Sequence, residues 1–188
     1  MTFYFRGRAI LLALFVSIHA LGAANAHSLP GTVLIFSQDE SQLQVTVQFA
    51  LEDLVIAFPA MASLEEAPVP GDIPSTELEQ LRAYFFDHIA LQSNSVDVPM
   101  SLSHARLRSA ENDHVGEFVQ VVADLRVELP VSDKVPSLML FYDAVMHEVR
   151  SHSAIVYWRD ATDDLRALAD FRYNTIDGLR HPILLDFQ

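Results

Sequence analysis

The sequence predicts a mostly β protein: an Ig-like antiparallel β-sandwich that carries one helical insertion at about residues 75–88. Two pairs of segments alternate apolar and polar residues, one stretch between them has helical periodicity, and the chain holds only 6 glycines. Alternation with period two is typical of strands that bury one face. Two packed sheets joined by a helical segment are the simplest arrangement that buries all these faces.

Residues 32–37 (TVLIFS) and 43–52 (LQVTVQFALE) form the first predicted hairpin. In the second arm, apolar side chains occupy every other position, and polar side chains such as Gln44 and Thr46 occupy the positions between them. One face of the hairpin is therefore expected to be buried. The predicted inward residues are Leu43, Val45, Val47, Phe49 and Leu51.

Residues 96–108 and 117–129 form the second predicted hairpin, with its turn in the sequence SAENDHVG. Both arms again alternate, which predicts one buried face. The predicted inward residues are Val96, Val98, Met100 and Leu102 in the first arm, and Val119, Val121, Ala123, Leu125 and Val127 in the second.

The segment between the hairpins opens as a Pro-rich loop and becomes helical at Thr76. Thr76 and Glu79 have the spacing of a capping box. Leu78, Leu81 and Phe85 form the apolar stripe of this helix. A strand is expected near Ile89, followed by a tight turn at SNS, and the C-terminal tail is expected to add one or two strands.

The first 26 residues have the pattern of a signal peptide. Arg6 and Arg8 precede an apolar run that ends at the tripeptide Ala24-Asn25-Ala26, and this pattern predicts cleavage after Ala26. The apolar run is shorter than the ~20 residues of a spanning helix. We therefore expect a periplasmic or secreted protein with a single domain over residues 27–188 and a mature N-terminus at His27.

Charge and composition limit the partners of the mature chain. Residues 1–26 contain two arginines and no acid, so the mature chain keeps 10 basic and 25 acidic residues. This charge disfavours nucleic acid and anionic lipid. No later apolar run reaches spanning length, so no direct membrane insertion is expected after cleavage, and an envelope or membrane protein is the expected kind of partner. The absence of cysteine excludes disulfides and thiolate ligands and fits a bacterial periplasm.

Four residues are predicted metal ligands: His27, Asp143, His147 and His152. An N-terminal His27 would offer its amine and its ring Nδ1 to one metal ion, which favours copper. Asp143 and His147 are four residues apart and share one side in a helix or a strand. His152 joins them only if residues 147–152 form a turn or bulge. Imidazole and carboxylate suit copper, nickel, cobalt or zinc, whereas histidines bonded to backbone carbonyls are the structural alternative.

The remaining histidines are weaker ligand candidates. His104 and His114 flank the turn of the second hairpin, where a solvated polar turn is the simpler interpretation. His88 lies near the helix end, where a cationic ring favours the helix dipole, and His181 lies in a terminal loop.

Calcium is not expected as a ligand. Residues 71–77 (GDIPSTE) match the second half of an EF-hand loop, with Gly71 as the central glycine and Glu77 as the last ligand. The early ligand positions fall on Glu66, Pro68 and Pro70, and proline has no side-chain oxygen.

No enzymatic activity is expected. The chain contains no G-x-S-x-G, Walker loop, dinucleotide fingerprint or H-E-x-x-H. Scattered serine, histidine and aspartate residues leave a Ser-His-Asp set open.

Several segments, in their shared order, resemble the extracytoplasmic N-terminal region of HupE/UreJ-like membrane proteins. The resemblance covers most of residues 27–160 and rests on AHSLPGTVLIF, FALEDLVIAF, the Pro-rich loop with its helix, and FYDAVMHEVRSHSAIVYWRD. It implies nickel or cobalt handling or a receptor-like extracytoplasmic role, with His27, Asp143, His147 and His152 at the family's leading histidine and Y-D…H…H stretch. The given sequence has no counterpart of the family's multi-helix membrane domain, so permease activity is not expected to carry over.

Three functional hypotheses follow. The first is an exported metal-binding accessory module for nickel, cobalt or copper. The second is a non-catalytic envelope β-sandwich that binds another protein. The third is a copper oxygenase with an N-terminal histidine brace, which requires an open metal position on a broad surface.

Overall fold

The computed structural model describes residues 29–39, 42–129, 135–173 and 181–187. The helical segments in these ranges are α1 (Leu51–Ala57), a 3-10 helix (Pro59–Glu66) and α2 (Ser75–His88). The strands are β1 (Thr32–Asp39), β2 (Gln42–Ala50), β3 (Gly71–Asp72), β4 (Ile89–Ser93), β5 (Val96–Val98), β6 (Met100–Asn112), β7 (Gly116–Val127), β8 (Leu138–Tyr142), β9 (Ser153–Arg159), β10 (Leu165–Arg172) and β11 (Ile183–Leu185).

Two mainly antiparallel sheets form a sandwich-like arrangement, so the predicted mostly β fold is confirmed. The larger sheet has the strand order β10-β9-β1-β2-β7-β6-β3, and the smaller sheet has the order β11-β8-β4-β5. One pair departs from the antiparallel prediction, because β1 and β9 run parallel, with Thr32 opposite Ala154. This pairing brings the start of β1 beside the residues that precede β9.

The core lies between the sheets and holds the inward residues of the central strands. Leu43, Val45, Val47 and Phe49 of β2 are all at most 2% exposed, as their alternation predicted. Val121, Ala123, Leu125 and Val127 of β7 are buried in the same cluster, together with Leu138 and Leu140 of the smaller sheet. The second hairpin is also confirmed in the pairing of β6 with β7.

The helical segments lie between β2 and β4, where the sequence predicted one insertion. Leu81 and Phe85 of α2 are fully buried, and the ring of Phe85 meets Phe49 edge-on with centroids 5.9 Å apart. This contact seats α2 on the core. In the part of the chain that the structure describes, no helix is long and apolar enough to span a membrane.

The first correction concerns Leu51, which was predicted to continue strand β2. The strand ends at Ala50, and Leu51 starts α1. Leu51, Leu54 and Ala57 are buried at helical spacing, so the apolar period changes from two to about 3.6 at this point. Leu51 is buried, as predicted, but within a helix.

The second correction concerns the start of the second hairpin. Val96 and Val98 were predicted inward residues of one long strand, but they form the separate strand β5, which pairs with β4. Val96 is 67% exposed. Pro99 stands between β5 and β6, and a proline cannot donate to a strand ladder, which gives a physical reason for the break.

The third correction concerns the capping box. The helix α2 begins at Ser75 and has no side-chain hydrogen bond at its N-cap, which is Pro74. The Glu79 carboxylate pairs instead with Arg82 at 2.7 Å on the exposed side of the helix. Proline at this position still suits a helix start, because N–H groups there have no intrahelical acceptor and proline has no N–H group to leave unbonded.

Candidate functional site

The candidate site lies in the connection between β8 and β9. Strand β8 ends at Tyr142, so Asp143 and His147 lie in a turn and not in a strand. The His147 N–H donates to the Asp143 carbonyl at 3.0 Å, and the Val149 N–H donates to the Val145 carbonyl at 2.9 Å. These bonds between residues four apart form a helix-like turn, which places His147 above Asp143.

Val145 holds this turn in an unusual backbone conformation. Its φ is 64°, and its side chain is fully buried. A β-branched residue rarely adopts a left-handed conformation, which costs about 1–2 kcal/mol. Its N–H donates to the hydroxyl of Tyr84 on α2 at 2.8 Å. Backbone strain of this kind concentrates at functional sites, so Val145 marks the turn as a candidate independently of the histidines.

His88, the last residue of α2, completes the cluster. Its Nδ1 lies 2.8 Å from Asp143 Oδ1, and its carbonyl accepts the Asp143 N–H at 3.1 Å. The rings of His88 and His147 are stacked, with centroids 4.0 Å apart and planes at 16°. Tyr84, one helical turn before His88, has its ring centroid 4.6 Å from His88 and 5.9 Å from His147. We call His88, Asp143 and His147 the histidine cluster.

The hydrogen bonds define the orientation of both imidazole rings. The Nδ1 of His147 lies 3.2 Å from the Asp143 carbonyl, and the Nδ1 of His88 faces the Asp143 carboxylate. Both partners are acceptors, so each Nδ1 is the donor, and the neutral form of each ring with this proton position has its lone pair on Nε2. Burial raises the pKa of Tyr84 well above its ordinary value, although the hydrogen bond from Val145 opposes the shift. The Tyr84 hydroxyl therefore stays neutral beside the cluster.

A cavity of about 350 Å³ opens beside the histidine cluster. Asp143 and His147 line it, so two members of the cluster reach its wall. The remaining wall includes Asp170, Arg172, Tyr173 and His181. Side chains of Asp143 and His88 are partly exposed, at 25% and 18%, which makes the cluster accessible to solutes.

His152 does not join the histidine cluster, because its contacts lie in the core. Its Nδ1 lies 2.8 Å from Asp53 Oδ2 of α1. Its Nε2 accepts the Thr32 N–H at 3.0 Å and lies 2.8 Å from Thr32 Oγ1. The same Thr32 oxygen accepts a hydrogen bond from the Tyr142 hydroxyl at 2.9 Å. Both ring nitrogens thus have partners, so in this arrangement His152 has no lone pair to offer to a metal ion that binds His147.

The order Asp53, His152, Thr32 has the connectivity of a catalytic triad with threonine as nucleophile. The three residues are only 7%, 5% and 1% exposed, respectively. A substrate carbonyl therefore has no access to the Thr32 hydroxyl. This set joins α1, β1 and the residue that precedes β9 in the interior, and its role is structural.

The other predicted residues lie apart from the histidine cluster or outside the described chain. His27 lies outside the described residues. His104 Nε2 lies 3.3 Å from Asp72 Oδ1 in an exposed pair, and His114 lies in the β6–β7 turn. In the described ranges, no group of three or more His, Asp or Glu side chains is placed to hold a metal ion.

His88 is the cluster member that sequence reasoning missed. It was assigned only a favourable interaction with the helix dipole, since nothing near it in the sequence points to Asp143, 55 residues away. A weak signal was present, because Tyr84 and His88 are one helical turn apart and must share a face of α2.

Comparisons with known proteins add no relative: no family model matches the chain, and no curated protein matches it significantly. The resemblance to the HupE/UreJ-like extracytoplasmic region therefore stays a prediction.

Proposed function

We propose that this protein is an exported accessory module that binds a divalent transition metal, copper or nickel foremost, through the histidine cluster. The observation that supports this most directly is the pair of stacked rings whose Nδ1 atoms both face Asp143. Metal-binding histidines commonly donate their second ring N–H to a carboxylate or a carbonyl, which orients the ring and raises its basicity. Asp143 provides both kinds of acceptor.

Metal binding requires the two rings to turn out of their stack. Nearly parallel rings aim their Nε2 lone pairs side by side, whereas two ligands of one ion must converge on a point about 2 Å from each nitrogen. The partly exposed position of His88 leaves space for this rotation. We therefore expect the stacking of the His88 and His147 rings to be lost when a metal ion binds.

At least one further ligand must come from outside the cluster, and His27 is the candidate that the sequence provides. The Tyr142 hydroxyl bonds to Thr32, so the start of β1 lies beside the end of β8. The described chain begins at Leu29, two positions after His27, and an extended chain of that length spans at most about 7 Å. The amine and ring of an N-terminal histidine would add a chelate to the two imidazoles.

Titration calorimetry with copper(II) and nickel(II) on the purified exported protein tests the proposal. We expect at least micromolar affinity, about 8 kcal/mol, and at least a tenfold loss, about 1.4 kcal/mol, in His88→Ala and in His147→Ala. His104→Ala is the matched control, because it removes an exposed histidine from the same protein.

Intact mass and N-terminal sequencing of the same sample test the predicted start at His27. One residue added before His27 should weaken binding as strongly as His147→Ala, since it removes the terminal chelate. Equal affinity in the wild type and in both cluster variants would refute metal binding at this site and favour the protein-interaction hypothesis.

A further inference from the structure

A second cavity lies where the end of β2 and the start of α1 meet the start of β7. Its volume is about 410 Å³, and none of its lining residues belongs to the cavity beside the histidine cluster. Ala50 and Leu51 are buried, whereas Phe118 and Val119 are half-buried. The apolar part of the lining consists of Leu29, Ala50, Leu51, Val115, Phe118 and Val119. These side chains form an apolar floor that a ligand can reach from the solvent.

Three glutamates form the rest of this lining. Glu52 is in α1, Glu65 is in the 3-10 helix and Glu117 is in β7, and all three are exposed. No lysine, arginine or histidine among the described residues lines the cavity. Within the same ranges, none of the three carboxylates forms an ion pair with a basic side chain. Negative charges that lie near one another without a counter-charge repel, so a cationic ligand is favoured here.

The positive charge that suits this lining is distributed over a ligand of some length. In the part of the chain that the structure describes, the three carboxylates are not placed to hold one metal ion. A ligand with two or more separate cationic groups can meet glutamates on three different elements. Arginine and lysine side chains suit such a site, because their aliphatic stems lie on an apolar surface while their charged ends stay in water.

The cavity continues into a neighbouring cavity, which indicates the shape of the ligand. Leu29 and Val115 line both cavities, and the neighbouring one has a volume of about 350 Å³. Its polar wall includes Asn112, Ser151 and Ser153, whose amide and hydroxyl groups both donate and accept hydrogen bonds. Uncharged groups of this kind suit the N–H and C=O groups of a peptide backbone. The two adjoining cavities therefore fit an extended peptide better than a compact ion.

We propose that these two cavities form a docking groove for an extended segment of a partner protein in which arginines alternate with apolar residues. The apolar side chains of this segment pack on the floor around Phe118, and its guanidinium groups pair with Glu52 and Glu117. Charge favours a separate partner, since the whole chain has 12 basic and 25 acidic residues. This inference goes beyond the proposed metal binding and does not depend on it.

Titration calorimetry of the metal-free exported protein with the peptide acetyl-Arg-Leu-Arg-Leu-Arg-amide tests the groove. We expect this peptide to bind at least tenfold more tightly than acetyl-Arg-Ser-Arg-Ser-Arg-amide, which has the same charge but no apolar side chain. In amide NMR, the leucine peptide should shift the signals of residues 51–52 and 115–119. The signals of residues 143–149, beside the histidine cluster, should not move.

Replacement of two glutamates separates binding in the groove from general attraction to an acidic protein. The double variant Glu52→Gln with Glu117→Gln should weaken binding of the leucine peptide at least tenfold. The control Asp97→Asn with Glu128→Gln removes the same charge near the other end of β7 and should change the affinity less than twofold. Glu117→Gln alone should weaken binding at least threefold, and it leaves Glu52 in the first turn of α1 unchanged. Circular dichroism checks the fold of each variant.

Three results would overturn the groove. Equal affinity for the two peptides, or equal losses in the two double variants, would show attraction by net charge alone. Calcium that displaces the leucine peptide at matched ionic strength would show an ion site in its place. The metal at the histidine cluster is tested separately by His88→Ala and His147→Ala, so failure of one proposal leaves the other in place.

Discussion

At the scale of single residues, the two histidines of the β8–β9 connection have opposite environments. His147 faces the cavity, and its ring stacks on another histidine. His152 is 5% exposed and is fixed between Asp53 and Thr32. The two histidines are only five positions apart in the sequence, yet His147 lines a cavity and His152 is enclosed in the interior.

Replacement of His152 by Ala should lower the free energy of unfolding by about 3 kcal/mol, because it leaves the Asp53 carboxylate buried without its partner. Urea denaturation measures this loss. His114→Ala, in an exposed turn, serves as the control and should stay within about 0.5 kcal/mol of the wild type. The double replacement Asp53→Leu with His152→Leu should cost less than His152→Ala, since no unpaired charge remains. Equal stability of His152→Ala and wild type would contradict the structural role.

At the scale of elements, the turn after β8 depends on α2. The Tyr84 hydroxyl accepts the N–H of Val145, the residue with positive φ, and the Tyr84 ring stacks on Phe58 with centroids 5.0 Å apart. Helix α2 thus provides both His88 and the group that holds the strained backbone before His147. The geometry of the histidine cluster is set by how this helix packs against the end of β8.

Tyr84→Phe removes only the hydroxyl and should lower the free energy of unfolding by about 1–3 kcal/mol, because the buried Val145 N–H loses its acceptor. In Tyr84→Phe, hydrogen exchange should show faster opening at the Val145 amide than at amides elsewhere in the core. Tyr157→Phe, on the half-buried surface of β9, is the control and should have a smaller effect. An unchanged exchange rate at Val145 would contradict the assigned role of Tyr84.

At the scale of the whole molecule, two buried tyrosines connect stability to alkaline pH. Burial raises the pKa of both Tyr84 and Tyr142 far above the ordinary value near 10. In the unfolded chain these phenols ionise above about pH 10, whereas in the folded chain they stay protonated. Their contribution to stability is therefore complete below about pH 10 and is lost as the pH rises beyond it.

We expect the free energy of unfolding to fall above about pH 10 by up to roughly 2.7 kcal/mol per pH unit from these two residues, since each contributes about 1.36 kcal/mol. Urea denaturation between pH 8 and pH 11 measures the slope. Tyr142→Phe should remove about half of it, because phenylalanine does not ionise. The same slope in Tyr142→Phe and in the wild type would refute the assignment.

The alternation of apolar residues predicted much of the fold because it is a local property. Two segments have the alternation of strands with one buried face, Leu43 to Phe49 and Val121 to Val127. Both belong to central strands of the larger sheet. The apolar stripe of α2 was likewise visible at helical spacing. The prediction was wrong where two local patterns compete. Val96 belongs to an alternating pattern that Pro99 interrupts, and Leu51 belongs to one that ends where a helix begins.

The pairing of Asp143 with His147 was also within reach of the sequence, since residues four apart share a side in a helical turn. The fate of His152 was not, because its partners Thr32 and Asp53 are 120 and 99 residues away. Nothing local distinguishes a histidine that will be buried by β1 and α1 from one that will face a cavity. Solvent exposure at a turn depends on which distant elements cover it.

The sequence by itself determined the strand-rich class, the extent of α2, the acidic balance and the spacing of Asp143 and His147, all of which follow from local pattern and composition. Only the tertiary structure decided that His88 meets Asp143 and His147, and that His152 is enclosed by Asp53 and Thr32. The physical reason is that these contacts form between segments brought together by burial of the apolar core. Burial of the core specifies which faces meet, but the local sequence around the polar residues at the edges of those faces does not indicate their partners.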